Sequence, residues 1–160
     1  MKPNGIKYRH EFRWAIRLSI MSALWLLVQY FTGLHHQNIE WHPLFGFLWY
    51  IFAFLILHFS LKQLKAEEGG SLEFWQGVQS VTLIAVMSVP LHLVLNIIYY
   101  STMGSVFFES AVSHSVEMGW EVEEAGQYFT LSALLVRETL GLISSGFIIS
   151  LLSSGFLKNK

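Results

Sequence analysis

His58, His92, Asn96, Arg137 and Glu138 are the residues of this chain whose chemistry is least at home among their neighbours, since each lies within or at the edge of a long apolar stretch. An ionisable side chain is costly in hydrocarbon, so one placed there is a functional candidate for ligand or proton handling. Arg137 and Glu138 are adjacent, hence about 100° apart on a helix, and do not form an intrahelical pair by spacing. Arg137 is instead expected to bridge Glu109, Glu117, Glu121 or Glu124.

A second group is the segment HHQNIEWH, with His35, His36, Glu40 and His42, to which folding could add His114. Imidazole and carboxylate together suit a divalent transition metal. The spacing matches no established zinc signature, and adjacent histidines also occur in interfacial loops, so these five are metal candidates only if the fold converges them.

Other chemistries are absent from the sequence. There is no cysteine, which excludes disulfides, thiolate zinc sites, iron–sulfur clusters and cysteine nucleophiles. There is no Asp, so every carboxylate side chain is a Glu. Neither Gly-x-Ser-x-Gly nor His-Glu-x-x-His occurs, and Gly69 with Gly70 has neither P-loop nor dinucleotide spacing. No catalytic residue and no cofactor is assigned.

The elements that must position these residues are read from charge. Of 160 residues, 53% are apolar and only 13% charged, too few charges for an ordinary soluble surface. Formal charges are missing from 18–39, 41–61, 74–108 and 139–157, runs of 22, 21, 35 and 19 residues. A membrane-spanning helix needs roughly 20 apolar residues, so each run supplies one. The runs are continuous rather than alternating, which favours helices over a barrel. The expectation is an all-α polytopic membrane protein, a single membrane domain over 1–160, with spans near 18–34, 44–61, 78–100 and 139–157. His58 and His92 then fall on opposite sides of their span centres, about 13 Å apart in level, too far for one haem iron. Each imidazole is expected to bond to a neighbouring helix.

Lys2, Lys7, Arg9, Arg13 and Arg17 precede the first span, Lys62 and Lys65 follow the second, and Lys158 and Lys160 follow the fourth. Basic residues resist translocation, so both termini are expected in the cytoplasm, with 1–17 a cytoplasmic basic segment. The first span lacks a small-x-small cleavage pattern and reads as an uncleaved signal anchor. Trp14, Trp41, Trp75, Tyr99, Tyr100 and Trp120 are expected at headgroup depth.

Between the second and third spans, Gly69 and Gly70 suit a turn, Ser71 a helix cap, and Glu73 the first helical turn. The acidic outer segment 101–138 carries a helical stripe of Phe107, Ala111, His114, Met118, Val122, Ala125 and Phe129, opposite most of its glutamates. It is expected to form an amphipathic outer helix, packed as a cap over the bundle, with Gly119 and Gly126 as points of weakness. In the fourth span, Gly141, Ser144, Ser145, Gly146, Ser150, Ser153, Ser154 and Gly155 suit close helix packing or a homo-oligomer contact.

GGSLEFWQG in the inner loop, IIYY closing the third span, the acidic outer segment and the final GFIISLLSSGFLKNK together resemble the domain of unknown function 4199 family, small membrane proteins common in Bacteroidetes. Gly70, Ser71 and Phe74 fit its Gly-Gly-x-x-x-Phe element. Gly146, Ser150, Leu151 and Ser153 fit its closing element, where Ser144 stands in place of a frequent proline. The resemblance covers roughly Phe45 to Lys160 and implies a four-helix inner-membrane protein with no assigned activity.

The functional expectation is therefore a bacterial inner-membrane protein in contact with the lipid bilayer, acting as an accessory, assembly or interaction component. The alternative is a small transporter or channel subunit in which oligomerisation brings Asn96, His92, Arg137 and Glu138 around a path, favoured if these groups face a shared cavity. An outer-face metal-binding protein or membrane enzyme is third. With a net charge of −1 and no nucleic-acid motif, no nucleic-acid partner is expected.

Overall fold

The computed structural model describes residues 8–157. It contains six helices: α1 (Arg9–Phe31), α2 (His42–Glu67), α3 (Phe74–Ser101), α4 (Val106–Glu117), α5 (Val122–Tyr128) and α6 (Leu131–Leu157). Four of them, α1, α2, α3 and α6, are long and apolar enough to cross a membrane. This is an all-α polytopic membrane fold. Lys2, Lys7, Lys158 and Lys160 lie outside the described residues.

The helices overrun the expected spans because a membrane helix continues into the headgroup region, where its backbone bonds remain favourable. Thus α1 begins at Arg9, α2 continues to Glu67, and α6 starts eight residues before Thr139. At its other end α1 is shorter than expected, stopping at Phe31 with Leu34 already in the following turn. The turn after α2 is a Schellman closure in which Gly69 adopts φ 78° and the Gly70 N–H donates to Lys65 O at 2.8 Å. Glu73, in extended backbone, is the N-cap of α3, so neither Ser71 nor a first-turn Glu73 holds the expected place. The same closure at Gly119, φ 96°, splits the expected outer helix into α4 and α5, while Gly126 stays helical. The stripe is broken accordingly: Phe107, Ala111 and Ala125 are buried, whereas Met118 and Val122 are exposed.

Burial is inverted relative to a soluble bundle. Ser60, Ser88, Ser150, Ser153 and Ser154 are fully buried, while Phe47, Ile51, Phe59, Leu140, Ile148 and Leu152 are exposed. Lipid is as apolar as leucine, so such helices associate through small residues and internal hydrogen bonds. The tightest packing is between α3 and α6. Gly146 lies directly against Ala85, and a Cβ on Gly77 would come within 2.5 Å of Ser154 Oγ. By contrast, Gly141, Ser144 and Ser145 line an open groove toward α2. α2 is the least closely packed of the four spans, and the space beside it forms the site described below.

The bundle has two chemically different ends. At one, α1, α2, α3 and α6 are tied by Arg13 with Glu67 at 3.7 Å, Ser80 donating to Glu11 at 2.9 Å, and Lys65 donating to Leu157 O at 2.8 Å. At the other, α4 and α5 form a cap over Tyr99, Tyr100, Phe107, Ala111 and Leu134. Tyr99 and Tyr100, at the end of α3, are buried beneath the cap; Trp41 and Trp75, at helix ends, are exposed.

A candidate functional site at membrane depth

The site is assembled from residues two turns or one turn apart on separate helices. Ser22, Trp25 and Gln29 share a face of α1; Gly46 and Tyr50 share a face of α2; His92 and Asn96 share a face of α3. With Glu138 of α6 they line a cavity of about 120 Å³. A second cavity of about 160 Å³ continues from it through Tyr50, His92 and Glu138 to Arg137 and Ser145.

Depth follows from helix geometry. Glu138 lies six residues from the middle of α6 and His92 four to five from the middle of α3, both toward the cap. At 1.5 Å per residue these offsets are roughly 9 Å and 7 Å, inside a hydrocarbon half-thickness of about 15 Å.

His92 is the centre of the site. It is 6% exposed, its Nδ1 is 3.2 Å from Ser22 Oγ, and its Nε2 lies 3.8 Å from a Glu138 carboxylate oxygen. With Nδ1 engaged by Ser22, Nε2 is the ring nitrogen that faces Glu138. The separation exceeds a direct hydrogen bond, and Nε2 has no other partner. The buried Trp25 Nε1 is likewise without a hydrogen-bond partner. Asn96 Nδ2 donates to His92 O at 2.8 Å. A proline at 90 leaves the carbonyl of Val86 without its usual helical donor. Glu138 is half exposed, open to the cleft between α2 and α6.

Arg137 lines only the second cavity. Its expected bridge to Glu109, Glu117, Glu121 or Glu124 is not formed among the described residues. Instead Nη1 donates to Tyr128 O at 2.7 Å and the guanidinium sits 3.9 Å over the Tyr128 ring. The turn between α5 and α6 brings that carbonyl and ring back over α6, closer than any carboxylate on the cap.

The other sequence candidates separate. His58 Nδ1 is 2.6 Å from Ser153 Oγ, and its ring stacks on Phe54. Ser153 and Glu138 are fifteen residues apart on α6, roughly 22 Å, so His58 and His92 occupy different levels. His35 lies under the cap, its Nδ1 hydrogen-bonded with Tyr99 OH at 2.6 Å. Burial, with His42 and His36 nearby, pushes the His35 imidazole down to about 3, so it is neutral. His42 is 5.5 Å from His35 between ring centres and also lines the 120 Å³ cavity. His36 turns back toward Gly33 O, Glu40 is exposed in a short 3₁₀ turn, and His114 pairs with Glu117 at 4.0 Å. No group of three or more metal-ligating side chains converges among the described residues.

Sequence reasoning missed Ser22, Trp25, Gln29, Trp49 and Tyr50. Ser22 and Gln29, seven residues apart in an uncharged span, were the available signal: two polar side chains on one face of a membrane helix.

The chemistry of the site is that of a carboxylate and an imidazole nitrogen without a hydrogen bond facing each other at membrane depth, walled by Trp25, Trp49, Tyr50 and Tyr100. Such a wall favours a cation over an anion, since aromatic faces and a carboxylate both attract positive charge. Comparison with known proteins gives no match to a curated protein or to a solved structure. The profile of a family described as protein of unknown function (DUF4199) matches residues 13–159, extending the resemblance back through α1. The chain, with its four spans and its cavity between them, belongs to the DUF4199 family.

Proposed function

We propose that the protein is a small transporter or carrier subunit of a bacterial inner membrane, with both termini cytoplasmic, whose cavity accepts a small cationic group. The observation that supports this over an accessory or assembly role is that His92, Asn96 and Glu138 line one cavity at membrane depth within a single chain. A purely structural polar pair would be closed and mutually satisfied; Glu138 instead opens to the cleft and His92 Nε2 lacks a hydrogen bond. Glu138 serves as counter-ion, the aromatic wall receives the cation, and His92 presents its unpartnered Nε2 beside Glu138. Arg137, held by Tyr128, guards the entrance without neutralising Glu138 directly.

The test is tetramethylammonium, a permanent cation. Purified protein is titrated while the fluorescence of Trp25 and Trp49, both in the cavity wall, is followed, and proteoliposome uptake is measured under an inside-negative potential. Saturable binding and uptake, weakened at least tenfold by Glu138→Gln, are expected. Equal behaviour of wild type and Glu138→Gln overturns the reading.

A further inference from the structure

Below the second cavity, on the side away from the cap, a groove of about 630 Å³ runs between α2 and α6. Its walls are almost wholly apolar, including Phe47, Ile51, Phe54, Ile148 and Leu152. Tyr50, Gly141 and Ser145 border both spaces, so the polar cavity and the apolar groove are one continuous cleft. The polar end presents Arg137 and Glu138 together, with the buried, unpaired His92 Nε2 behind them.

We infer that this cleft seats a phospholipid with a zwitterionic phosphoethanolamine head, its ammonium at Glu138, its phosphate toward Arg137 and one acyl chain in the groove. The inference rests on the cation-binding reading above and names the molecule that carries the cation.

Charge complementarity argues for the head. Adjacent plus and minus side chains at one cavity mouth match a head with phosphate and ammonium a few atoms apart; an anionic lipid would satisfy Arg137 but place negative charge beside Glu138. Arg137 keeps guanidinium donors beyond the one given to Tyr128, and a guanidinium suits a phosphate. Length argues for the chain. Along α6 the groove extends from Gly141 to Leu152, roughly 16 Å, and Leu152 lies eight residues beyond the helix middle, roughly 12 Å into the opposite leaflet. The chain of an ordinary lipid ends near the midplane. A groove reaching well past it fits a lipid whose head has been drawn down to the level of Glu138, roughly 9 Å from the midplane. The polar cavity supplies the hydrogen-bonding surroundings that a head at this depth requires.

The experiment uses the full chain, delipidated in mild detergent, incubated with equal amounts of dioleoyl phosphatidylethanolamine and dioleoyl phosphatidylglycerol, with bound lipid read by native mass spectrometry. Ser144→Phe fills the groove at an exposed position that borders the groove but not the cavities. The expected result is at least fivefold preference for phosphatidylethanolamine in wild type. Ser144→Phe should lose that retention while still binding tetramethylammonium, and Glu138→Gln should lose both. Equal retention of the two lipids, or undiminished retention by Ser144→Phe, overturns the lipid assignment even if tetramethylammonium binds. Failure of tetramethylammonium to bind wild type overturns the cation reading, and with it this assignment.

Discussion

The carboxylate of Glu138 and the Nε2 of His92 face each other at 3.8 Å, one on α6 and the other on α3, with neither completing a direct hydrogen bond to the other. Both belong to the helix pair that packs most closely, so their separation is set by the close approach of Gly146 to Ala85 two turns below. The backbones that carry the two groups are held by that contact, and the gap between the side chains suits a group that bridges them.

An accessible carboxylate in an apolar cleft should be selectively modified by dicyclohexylcarbodiimide, a hydrophobic reagent that attacks carboxyl groups at membrane depth. Peptide mass analysis is expected to find Glu138 labelled ahead of Glu109, Glu117, Glu123 and Glu124, which lie on the cap. Tetramethylammonium should slow the labelling several-fold. Modification spread over the cap glutamates with Glu138 untouched would remove Glu138 from the site.

His35 supplies a pH dependence of known sign. Its imidazole is held down to about 3 in the folded protein, against about 6.5 when unfolded, so between these values the unfolded chain binds more protons. Its stabilising contribution is complete above pH 6.5 and falls away as pH drops toward 3. Thermal unfolding of the detergent-purified protein should show a Tm that declines below pH 6.5. His35→Gln, which can still hydrogen-bond with Tyr99 OH but does not titrate, should show a shallower decline. Parallel curves for the two proteins would place the titration elsewhere.

Charge-free runs and membrane length made the four spans legible, and the His92 and Glu138 positions stood out because ionisable groups within such runs or at their edges are rare. Their convergence was not legible: it depends on which face of each helix turns inward, and helices apolar all round give no amphipathic signal for that. Ser22, Gln29 and Tyr50 passed unnoticed for the same reason, being neutral. The partner of Arg137 was not legible because charge alone does not give the chain's path: the short turn at Phe129 and Thr130 offers a nearer carbonyl and ring. The histidines of HHQNIEWH share a segment but not a direction, since the turn after α1 buries His35 while His36 is exposed.

Orientation is testable because the chain has no cysteine of its own. Single cysteines at Asn38 and Glu123 lie on the cap side, and one at Ala66 lies at the opposite end beside Lys62 and Lys65. In intact cells an impermeant maleimide is expected to label the first two, and Ala66→Cys only after permeabilisation, the pattern that the bias of basic residues toward the cytoplasm predicts. The reverse pattern would put the cavity in the cytoplasmic leaflet.

The α3–α6 contact gives the sharpest stability prediction. A methyl group at Gly146 would collide with the Cβ of Ala85, and α3 and α6 are packed too closely elsewhere to separate locally. Gly146→Ala should therefore destabilise by about 1–3 kcal/mol, the usual cost of overpacking. Gly155, on the same helix, has open space where its Cβ would be, so Gly155→Ala should be neutral or stabilise by up to about 1 kcal/mol through helix propensity. Denaturation in mixed micelles, with helicity as the signal, separates the two. If Gly146→Ala is as stable as Gly155→Ala, the close approach that fixes His92 against Glu138 is not the one described. Because that approach also sets the 3.8 Å gap, Gly146→Ala should weaken tetramethylammonium binding, whereas Gly155→Ala should leave it unchanged.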